Sequence, residues 1–297
     1  MSTTTKRKVT GVVPHGRGDA IRTVPLHLPE ALTTHAGPAA APHLSYRGGP
    51  LLTAVQVFTV FWGDAWAGAQ AALVDTVNKF FDDILTSSLI DQLGEYSVPG
   101  QTIGHGSRAG TIKVPAAHLP HSVADAAIQH MLQQEIATNH AFPAPGPNVL
   151  YFVYMPPKVA VVQGGSRSCT AFCGYHDNIN GQVFYAVMPY PGCAGYTGGL
   201  SVADALTSTS SHELCEAITD AIPGQGWYDD ANGEIGAWKT KSVAGHLVQL
   251  EWSNKANACV CGEAAAPGAE TSGPAPVDDG PTSPAWPGTG WAAGRPA

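Results

Sequence analysis

The stretch Ser211-His212-Glu213-Leu214-Cys215-Glu216-Ala217-Ile218-Thr219-Asp220 lies inside a predicted helix from Leu200 to Ile222. The helix pattern opens with Ser201 and an acidic residue three positions later, a typical N-cap signature. It ends at Pro223-Gly224, which cannot continue a helix. On such a helix His212 and Glu216 project from one face, one turn apart, while Glu213 points about 100° round the axis.

This arrangement resembles the His-Glu-x-x-His helix of zinc peptidases, with a glutamate in place of the second histidine. A carboxylate is an acceptable zinc ligand, so His212 and Glu216 are candidate Zn²⁺ ligands. Glu213 is the candidate general base that polarises a water molecule. The alternative is structural: Ser210 and Glu213 could form a capping box on a later-starting helix, which would leave Glu216 solvated.

A metal site of this kind needs a third protein ligand, and the turn Asp229-Asp230-Ala231-Asn232-Gly233-Glu234 supplies candidates. Glu234 is favoured because related zinc sites use a downstream glutamate at a similar separation. Asp220, Asp229 and Asp230 are competitors. The same turn could instead be a hydrophilic loop, or bind Ca²⁺ through Asp229, Asp230 and Glu234.

The remaining periodicity predicts an α/β or α+β domain with a mixed sheet. Short β-branched and aromatic runs indicate strands, and apolar residues at helical spacing indicate helices. The predicted strands are Val55–Trp62, Gly110–Val114, Val149–Met155, Gln182–Met188 and His246–Trp252, and the other predicted helices are Trp66–Leu93, as one helix or two, and Ser122–Thr138.

Composition divides the 297-residue chain into three parts. Glycine (34) and proline (24) are abundant, and charged residues make up 13% of the chain. Residues 263–297 hold a single aliphatic β-branched residue and no Leu, Ile or Phe, which predicts a disordered tail. Residues 1–45 are similarly irregular. We therefore expect one folded domain over residues 46–262.

Charge and hydropathy exclude some classes of partner. The net charge of −8 and the absence of a long basic stripe disfavour nucleic-acid binding. The most apolar run, Leu51–Trp62, is too short for a membrane span. Met1–His15 lacks the apolar core of a signal peptide, so none is visible in this chain. The oligomeric state cannot be read from the sequence.

The six cysteines, at positions 169, 173, 193, 215, 259 and 261, are the remaining compositional signal. Five lie in turn-rich sequence, which favours disulfides in an oxidising compartment. Zinc ligation is the alternative, although the spacings do not match a zinc ribbon.

Several separated segments together resemble the phosphate-induced, EXORDIUM-like family. They are Tyr46–Trp66 (YRGGPLLTAVQVFTVFWGDAW), Ser168–His176 (SCTAFCGYH), Cys193, Ser211–Gly236 (SHELCEAITDAIPGQGWYDDANGEIG) and His246–Cys259 (HLVQLEWSNKANAC). The resemblance implies an extracellular or cell-wall setting and a zincin-like site on the His212 helix. It also implies disulfides among Cys169, Cys173, Cys193 and Cys259.

Two departures from the family pattern stand out. Where relatives tend to carry an aspartate after GEIG and a cysteine shortly afterwards, this chain has Ala237 and Trp238. The missing cysteine leaves Cys215 or Cys261 without an obvious disulfide partner. Cys215 is expected to be a buried thiol, because its neighbours on the helix are apolar.

His176 and Tyr228 are two further candidate catalytic residues. His176 could act as a proton donor or oxyanion stabiliser, although a histidine held by hydrogen bonds beside a disulfide is commoner. Tyr228 could stabilise a transition state, or pack under the turn. The sequence thus predicts a zinc-dependent hydrolase, in particular a peptidase acting on peptides or proteins. The alternative is a non-catalytic extracellular binding or signalling protein on a zincin-like scaffold.

Overall fold

The fold is built on a six-stranded mixed sheet. The computed structural model describes residues 23–25, 42–192, 199–230 and 235–261, all within the unit Met1–Ala264. In spatial order the strands are β1 (Thr23–Pro25), β9 (Phe172–Ile179), β10 (Val183–Met188), β6 (Val149–Tyr154), β3 (Gln56–Trp62) and β4 (Ser107–Val114). The four from β10 to β4 are parallel, whereas β9 runs antiparallel to β10 and β1 antiparallel to β9.

Both faces of this sheet are covered, which explains why every residue of β6 is buried. The helices are α1 (Ala71–Ile84), α2 (Ser88–Leu93), α3 (Asp125–Thr138) and α4 (Val202–Thr219). Alternate β6 residues such as Phe152 and Tyr154 join a core with α1, α2 and α4. Tyr151 and Val153 point the other way, into a second core beneath α3.

Three smaller sheets complete the described part of the chain. A two-stranded pair joins β2 (Ser45–Tyr46) to β11 (Trp227–Tyr228). A second sheet contains β5 (Ser122–Ala124), β7 (Ala160–Gln163) and β8 (Ser166–Arg167). The third contains β12 (Gly236–Val243), β13 (His246–Ser253) and β14 (Ala258–Val260), and it packs on α4.

Helix α4 lies between the large sheet and β13, so every residue from Ala205 to Thr219 is buried. Several of its polar side chains form hydrogen bonds to the neighbouring layers. Ser210 Oγ lies 2.8 Å from the hydroxyl of Tyr154 on the large sheet. Ser211 Oγ accepts a hydrogen bond from the backbone N–H of Gln249 on β13. A helix of such polar composition is stable inside the protein because both neighbouring layers supply partners.

The structure confirms a mixed α/β fold and most of the predicted elements. Ser201 caps α4 by accepting a hydrogen bond from the N–H of Asp204, as predicted. The predicted start of α3 at Ser122 was wrong, because residues 122–124 pair in parallel with β7 and the helix begins at Asp125. Strand β1 falls within the N-terminal segment expected to be irregular. The tail predicted at residues 263–297 lies outside the described residues.

None of the helices in the described ranges has the length and hydropathy of a membrane span.

Candidate metal centre

Helix α4 and strand β9 bring a histidine and two glutamates together in the interior. His176 Nδ1 lies 3.4 Å from Glu213 Oε2 and 3.5 Å from Glu216 Oε2. The three ligand atoms lie within 4.8 Å of one another. Their side chains are 1%, 0% and 6% exposed. We call His176, Glu213 and Glu216 the His-Glu-Glu cluster.

The contact of the second nitrogen of His176 determines which nitrogen carries the hydrogen when the ring is neutral. Nε2 lies 3.1 Å from the main-chain carbonyl oxygen of Asp220, which can accept a hydrogen bond but cannot donate one. Nε2 therefore carries the hydrogen, and in the neutral imidazole Nδ1 presents a lone pair to two carboxylates. That arrangement is repulsive unless a proton or a cation lies between them.

The carbonyl that orients His176 is itself held in place. The Asp220 carboxylate accepts hydrogen bonds from the N–H groups of Gly224, Gln225 and Gly226, at 2.5 to 3.0 Å. Burial raises the pKa of this carboxyl to about 6, while those N–H groups act in the opposite direction. The carboxylate of Asp220, considered above as a third ligand, thus stabilises the loop after α4 by accepting these hydrogen bonds. A carbonyl partner on the distal nitrogen of a metal-binding histidine is a common supporting arrangement.

His212 lies on the outer side of the cluster. Its Nε2 is 3.0 Å from Glu216 Oε1, so the predicted proximity of these two side chains one helical turn apart is observed. The His212 side chain is the most exposed of the four, at 11%. Glu216 consequently lies between two imidazoles, with one carboxylate oxygen towards each.

Burial and the neighbouring charges shift the pKa values of these side chains in opposite directions. Burial raises the pKa of Glu213 to about 7, although the hydrogen bond from His176 lowers it. Burial also disfavours the Glu216 anion, but the charges and hydrogen bonds of His212 and His176 prevail and hold its pKa below the usual range. Burial lowers the pKa of His212, and the Glu216 carboxylate more than reverses that effect.

The donor set of the cluster is of a kind that divalent cations bind. It offers one imidazole nitrogen and two carboxylates, a donor set that zinc and related ions accept. Within the described ranges, Glu213 Oε1 is buried without a hydrogen bond, and buried Glu216 Oε2 has the long 3.5 Å approach of His176 Nδ1. Buried carboxylate oxygens that are poorly satisfied are costly, and a bound cation would reduce that cost.

The other predicted site residues lie elsewhere. Tyr228 lies in β11 with its ring 4.3 Å from the guanidinium carbon of Arg47. Asp230 forms an ion pair with Arg47, and Asp229 accepts a hydrogen bond from the N–H of His43. Asp229 and Asp230, two of the three proposed calcium ligands, therefore contact protein groups. Glu234, the third predicted zinc ligand, lies outside the described residues.

The disulfide predictions have a divided outcome. Cys169 is disulfide-bonded, but Cys173 and Cys259 are thiols, contrary to the prediction. Cys173 is buried within strand β9, whereas the sequence around it was interpreted as turn-rich. Cys193 lies outside the described residues. Cys215 is a fully buried thiol, as expected.

The chain was also compared with known proteins. No family model, curated protein or solved structure matches it. The case for a function therefore depends on the geometry of the His-Glu-Glu cluster. The resemblance described above remains a proposal.

Strand β9 approaches α4 closely because of Gly174, two residues before His176. A Cβ atom at position 174 would lie 2.8 Å from Thr209 Cγ2, 2.9 Å from Met188 Cε and 3.1 Å from Glu213 Oε1. The glycine therefore sets the separation at which His176 meets Glu213. Glycine within a strand often marks such a close approach.

Replacing Gly174 with alanine is expected to lower the free energy of unfolding by about 1–3 kcal/mol, because the added methyl group overpacks this interface. Chemical denaturation measures the effect. Gly94→Ala is the matched control, since Gly94 has helical φ and ψ and open space around it. That change should be neutral or slightly stabilising. Equal effects of the two substitutions would contradict the close-approach account.

Proposed function

We propose that this protein is a divalent-metal-dependent hydrolase with its metal centre at the His-Glu-Glu cluster. The observation that carries the proposal is that His176 Nδ1, with Nε2 bonded to a carbonyl, faces two buried carboxylates. Zn²⁺ is the proposed ion because it accepts imidazole and carboxylate ligands together. A cation held here would act as a Lewis acid and lower the pKa of a water molecule.

This assignment gives His212 and Glu213 different roles from those that the His-Glu-x-x-Glu pattern suggested. His176, Glu213 and Glu216 hold the ion, so Glu213 is a ligand rather than the general base. His212 lies beside Glu216 and is the least buried of the four side chains, which places it to take up and return a proton. Its Nδ1 is buried and forms no hydrogen bond with a described residue, and we propose that this atom exchanges the proton with bound substrate or water.

The peptide class of substrate comes from the sequence pattern. The His-Glu-x-x-Glu helix resembles that of zinc peptidases, and the proposed substrate is therefore a peptide amide. A zincin-like identity for the fold belongs to the same proposal. It is supported by the mixed sheet and by the long helix that carries His212, Glu213 and Glu216.

Glu213→Gln and His212→Ala distinguish the two assignments of roles. If Glu213 is a ligand, Glu213→Gln should lose the metal, measured by elemental analysis after dialysis. His212→Ala should retain about one equivalent of metal and lose about 100-fold or more of its hydrolysis of fluorescein-labelled casein. The opposite result, metal kept in Glu213→Gln and lost in His212→Ala, would support the assignment that the sequence pattern suggests.

Metal binding is expected to depend on pH because of the raised pKa of Glu213. Below pH 7 this carboxyl is protonated, and an incoming cation must displace the proton. Affinity should therefore rise about tenfold per pH unit from about pH 5 to 7 and level off above. Glu216, with its lowered pKa, is already ionised in this range and adds nothing to the pH dependence of the affinity.

Calorimetry in buffers of different ionisation enthalpy would count the proton released on metal binding. Constant affinity from pH 5 to 7 would contradict the assignment of Glu213 as a ligand.

The metal-free protein should show the linked effect on stability. The folded-state pKa of Glu213, about 7, lies above its ordinary value of 4.5, so folding takes up a proton between about pH 4.5 and pH 7. The stability from this group is complete below about pH 4.5 and is lost as the pH rises through about 7. A bound cation would offset that loss.

Burial favours a second candidate function, a non-catalytic extracellular binding or signalling protein that a metal ion stabilises. Closed sites are typical of structural metals, whereas catalytic metals keep a position open to substrate. Glu213 is fully buried and His176 is 1% exposed. A metal-loaded protein with a raised melting temperature and no hydrolysis of labelled casein would favour this alternative.

A further inference from the structure

The turn after α4 brings the main chain of Asp220 against His176. Helix α4 ends at Thr219, and Asp220 is its C-cap residue, with φ −146° and ψ 58°. The Asp220 N–H still donates to the carbonyl oxygen of Glu216, 2.7 Å away. Its own carbonyl oxygen lies 3.1 Å from His176 Nε2. One residue thus joins the helix that carries the two glutamates to the histidine of the His-Glu-Glu cluster.

The carboxylate of Asp220 explains why that carbonyl oxygen is available. If the helix continued, the carbonyl oxygen of residue 220 would accept a hydrogen bond from the N–H of residue 224. The Gly224 N–H instead donates to Asp220 Oδ2 at 2.6 Å, and the N–H groups of Gln225 and Gly226 donate to Oδ1. A side chain that accepts such N–H groups replaces the helical bonds. The carbonyl oxygen of Asp220 therefore remains available to the imidazole.

Two glycines allow the turn to close this tightly. Gly224 has φ +79°, a left-handed conformation that glycine adopts without strain. A Cβ atom at position 226 would clash with the carbonyl oxygen of Thr219 and would lie 3.0 Å from Asp220 Oδ1. Glycine at position 226 thus allows its N–H to reach the carboxylate.

The chain segment before β3 holds the other side of this turn. The N–H of Gly49 donates to the carbonyl oxygen of Gln225 at 2.6 Å, and the N–H of Arg47 donates to that of Gly226 at 2.8 Å. Asp220 is fully buried, so its carboxylate depends on the N–H groups of the turn for stabilisation. Hydrogen bonds on both sides of the turn therefore set the position of the Asp220 carbonyl oxygen.

The two nitrogens of His176 face competing acceptors. Carboxylate oxygens of Glu213 and Glu216 lie 3.4 Å and 3.5 Å from Nδ1 and would accept a hydrogen from it. The Asp220 carbonyl oxygen accepts a hydrogen from Nε2. A neutral imidazole has one hydrogen, and the nitrogen that binds a metal must lack it. Metal binding at Nδ1 therefore requires that the hydrogen stay on Nε2.

We propose that Asp220 is a positioning residue for the metal centre. Its carboxylate holds the turn, and its carbonyl oxygen keeps the His176 hydrogen on Nε2, which leaves Nδ1 free to bind a cation. A carbonyl partner of this kind fixes both the tautomer and the orientation of a metal-binding histidine. The effect on metal affinity rests on the proposed function, whereas the held Nε2–H does not require a metal.

NMR of His176 in the metal-free, full-length protein tests this role. The Nε2–H resonance, assigned by its loss in His176→Ala, should be present and exchange slowly with water, because it donates to a buried carbonyl oxygen. Asp220→Ala removes the three bonds from the turn to the carboxylate, and the resonance should be lost to fast exchange. The Zn²⁺ affinity of this variant, measured against a competing chelator, should fall about 10- to 100-fold.

Two further variants and a control separate positioning from general destabilisation. Asp220→Asn keeps the size of the side chain and one acceptor oxygen, so both effects should be smaller. Gly226→Ala retains the carboxylate but displaces the turn, and it should produce both effects. Asp64→Ala is the control, since Asp64 Oδ1 likewise accepts a backbone hydrogen bond, from the N–H of Ala116. It should leave the resonance and the affinity unchanged.

Circular dichroism establishes that each variant is folded, and Asp220→Asn and Gly226→Ala decide the question if Asp220→Ala is not. A slowly exchanging Nε2–H and unchanged Zn²⁺ affinity in the folded variants would overturn the proposal. Absence of the resonance from the wild type would also overturn it. A wild type that shows the resonance but binds no Zn²⁺ would contradict the proposed function instead, and the hydrogen bond from His176 to Asp220 would stand.

Discussion

Replacing His176 with alanine is expected to lower the metal affinity of the His-Glu-Glu cluster by more than about 100-fold. Loss of a supporting residue around a metal site costs about 10–100-fold, and a direct ligand contributes more. The substitution also leaves Glu213 and Glu216 facing each other without their shared histidine. The metal-free protein should therefore lose about 3 kcal/mol of stability. Zinc titration against a competing chelator measures the affinity, and urea denaturation measures the stability.

His246 provides a matched control for this experiment. Its Nε2 lies 2.7 Å from Asp83 Oδ2, and its side chain is 13% exposed. It is therefore another largely buried histidine paired with a carboxylate. This pair joins β13 to α1 and includes no residue of the His-Glu-Glu cluster. His246→Ala should cost stability but leave metal affinity unchanged. If His176→Ala and His246→Ala retained the same affinity, the imidazole of His176 would not be a ligand.

Glu216→Gln is expected to have the second large effect, because Glu216 contacts both imidazoles. The amide keeps the size of the side chain and removes the negative charge, so metal affinity should again fall by more than about 100-fold. The Glu216 carboxylate is also the main group that raises the pKa of His212. In the metal-free variant the pKa of His212 should fall. Elemental analysis and NMR titration of the histidine ring would record the two effects.

The control for this change is Glu135→Gln on α3. Glu135 Oε2 accepts a hydrogen bond from Asn139, the residue that caps the C-terminal end of α3, and belongs to no cluster of candidate ligands in the described ranges. Metal content and the pKa of His212 should be unchanged by it. Full metal content in Glu216→Gln, with a lowered pKa for His212, would show that Glu216 positions the histidine without binding the ion.

The sequence was most informative about α4. Its cap at Ser201, its stop before Pro223 and the i, i+4 spacing of His212 and Glu216 are local features, and the structure reproduces them. Local patterns predict such features because capping and helical spacing depend on residues a few positions apart. The mixed α/β class followed from strand and helix patterns of the same kind.

The partner of Glu213 and Glu216 was harder to predict. His176 lies 37 residues before Glu213 and was considered as a proton donor beside a disulfide. The cysteines in Ser168–His176 favoured a loop, whereas residues 172–179 form β9. Strand pairing with β10 brings His176 under α4, and pairing between distant segments is not visible in local periodicity. Gly174 was the available signal, because glycine inside a strand indicates a close neighbour.

The chemistry of the cysteines depended on tertiary context in the same way. Their number and spacing favoured disulfides, but Cys215 and Cys261 are buried thiols. Cys215 lies on α4, which is covered by β13, and packing between such distant segments follows no spacing rule. The interpretation of Cys215 as a buried thiol was correct, because apolar helix neighbours predict burial directly.

The most direct test of the His-Glu-Glu assignment is the anomalous scattering of a crystal of the zinc-loaded protein, measured at the zinc absorption edge. The account predicts a peak about 2.0–2.2 Å from His176 Nδ1 and from a carboxylate oxygen of both Glu213 and Glu216. A peak bound by His212 and Glu216 without His176, or no peak at the cluster, would contradict it.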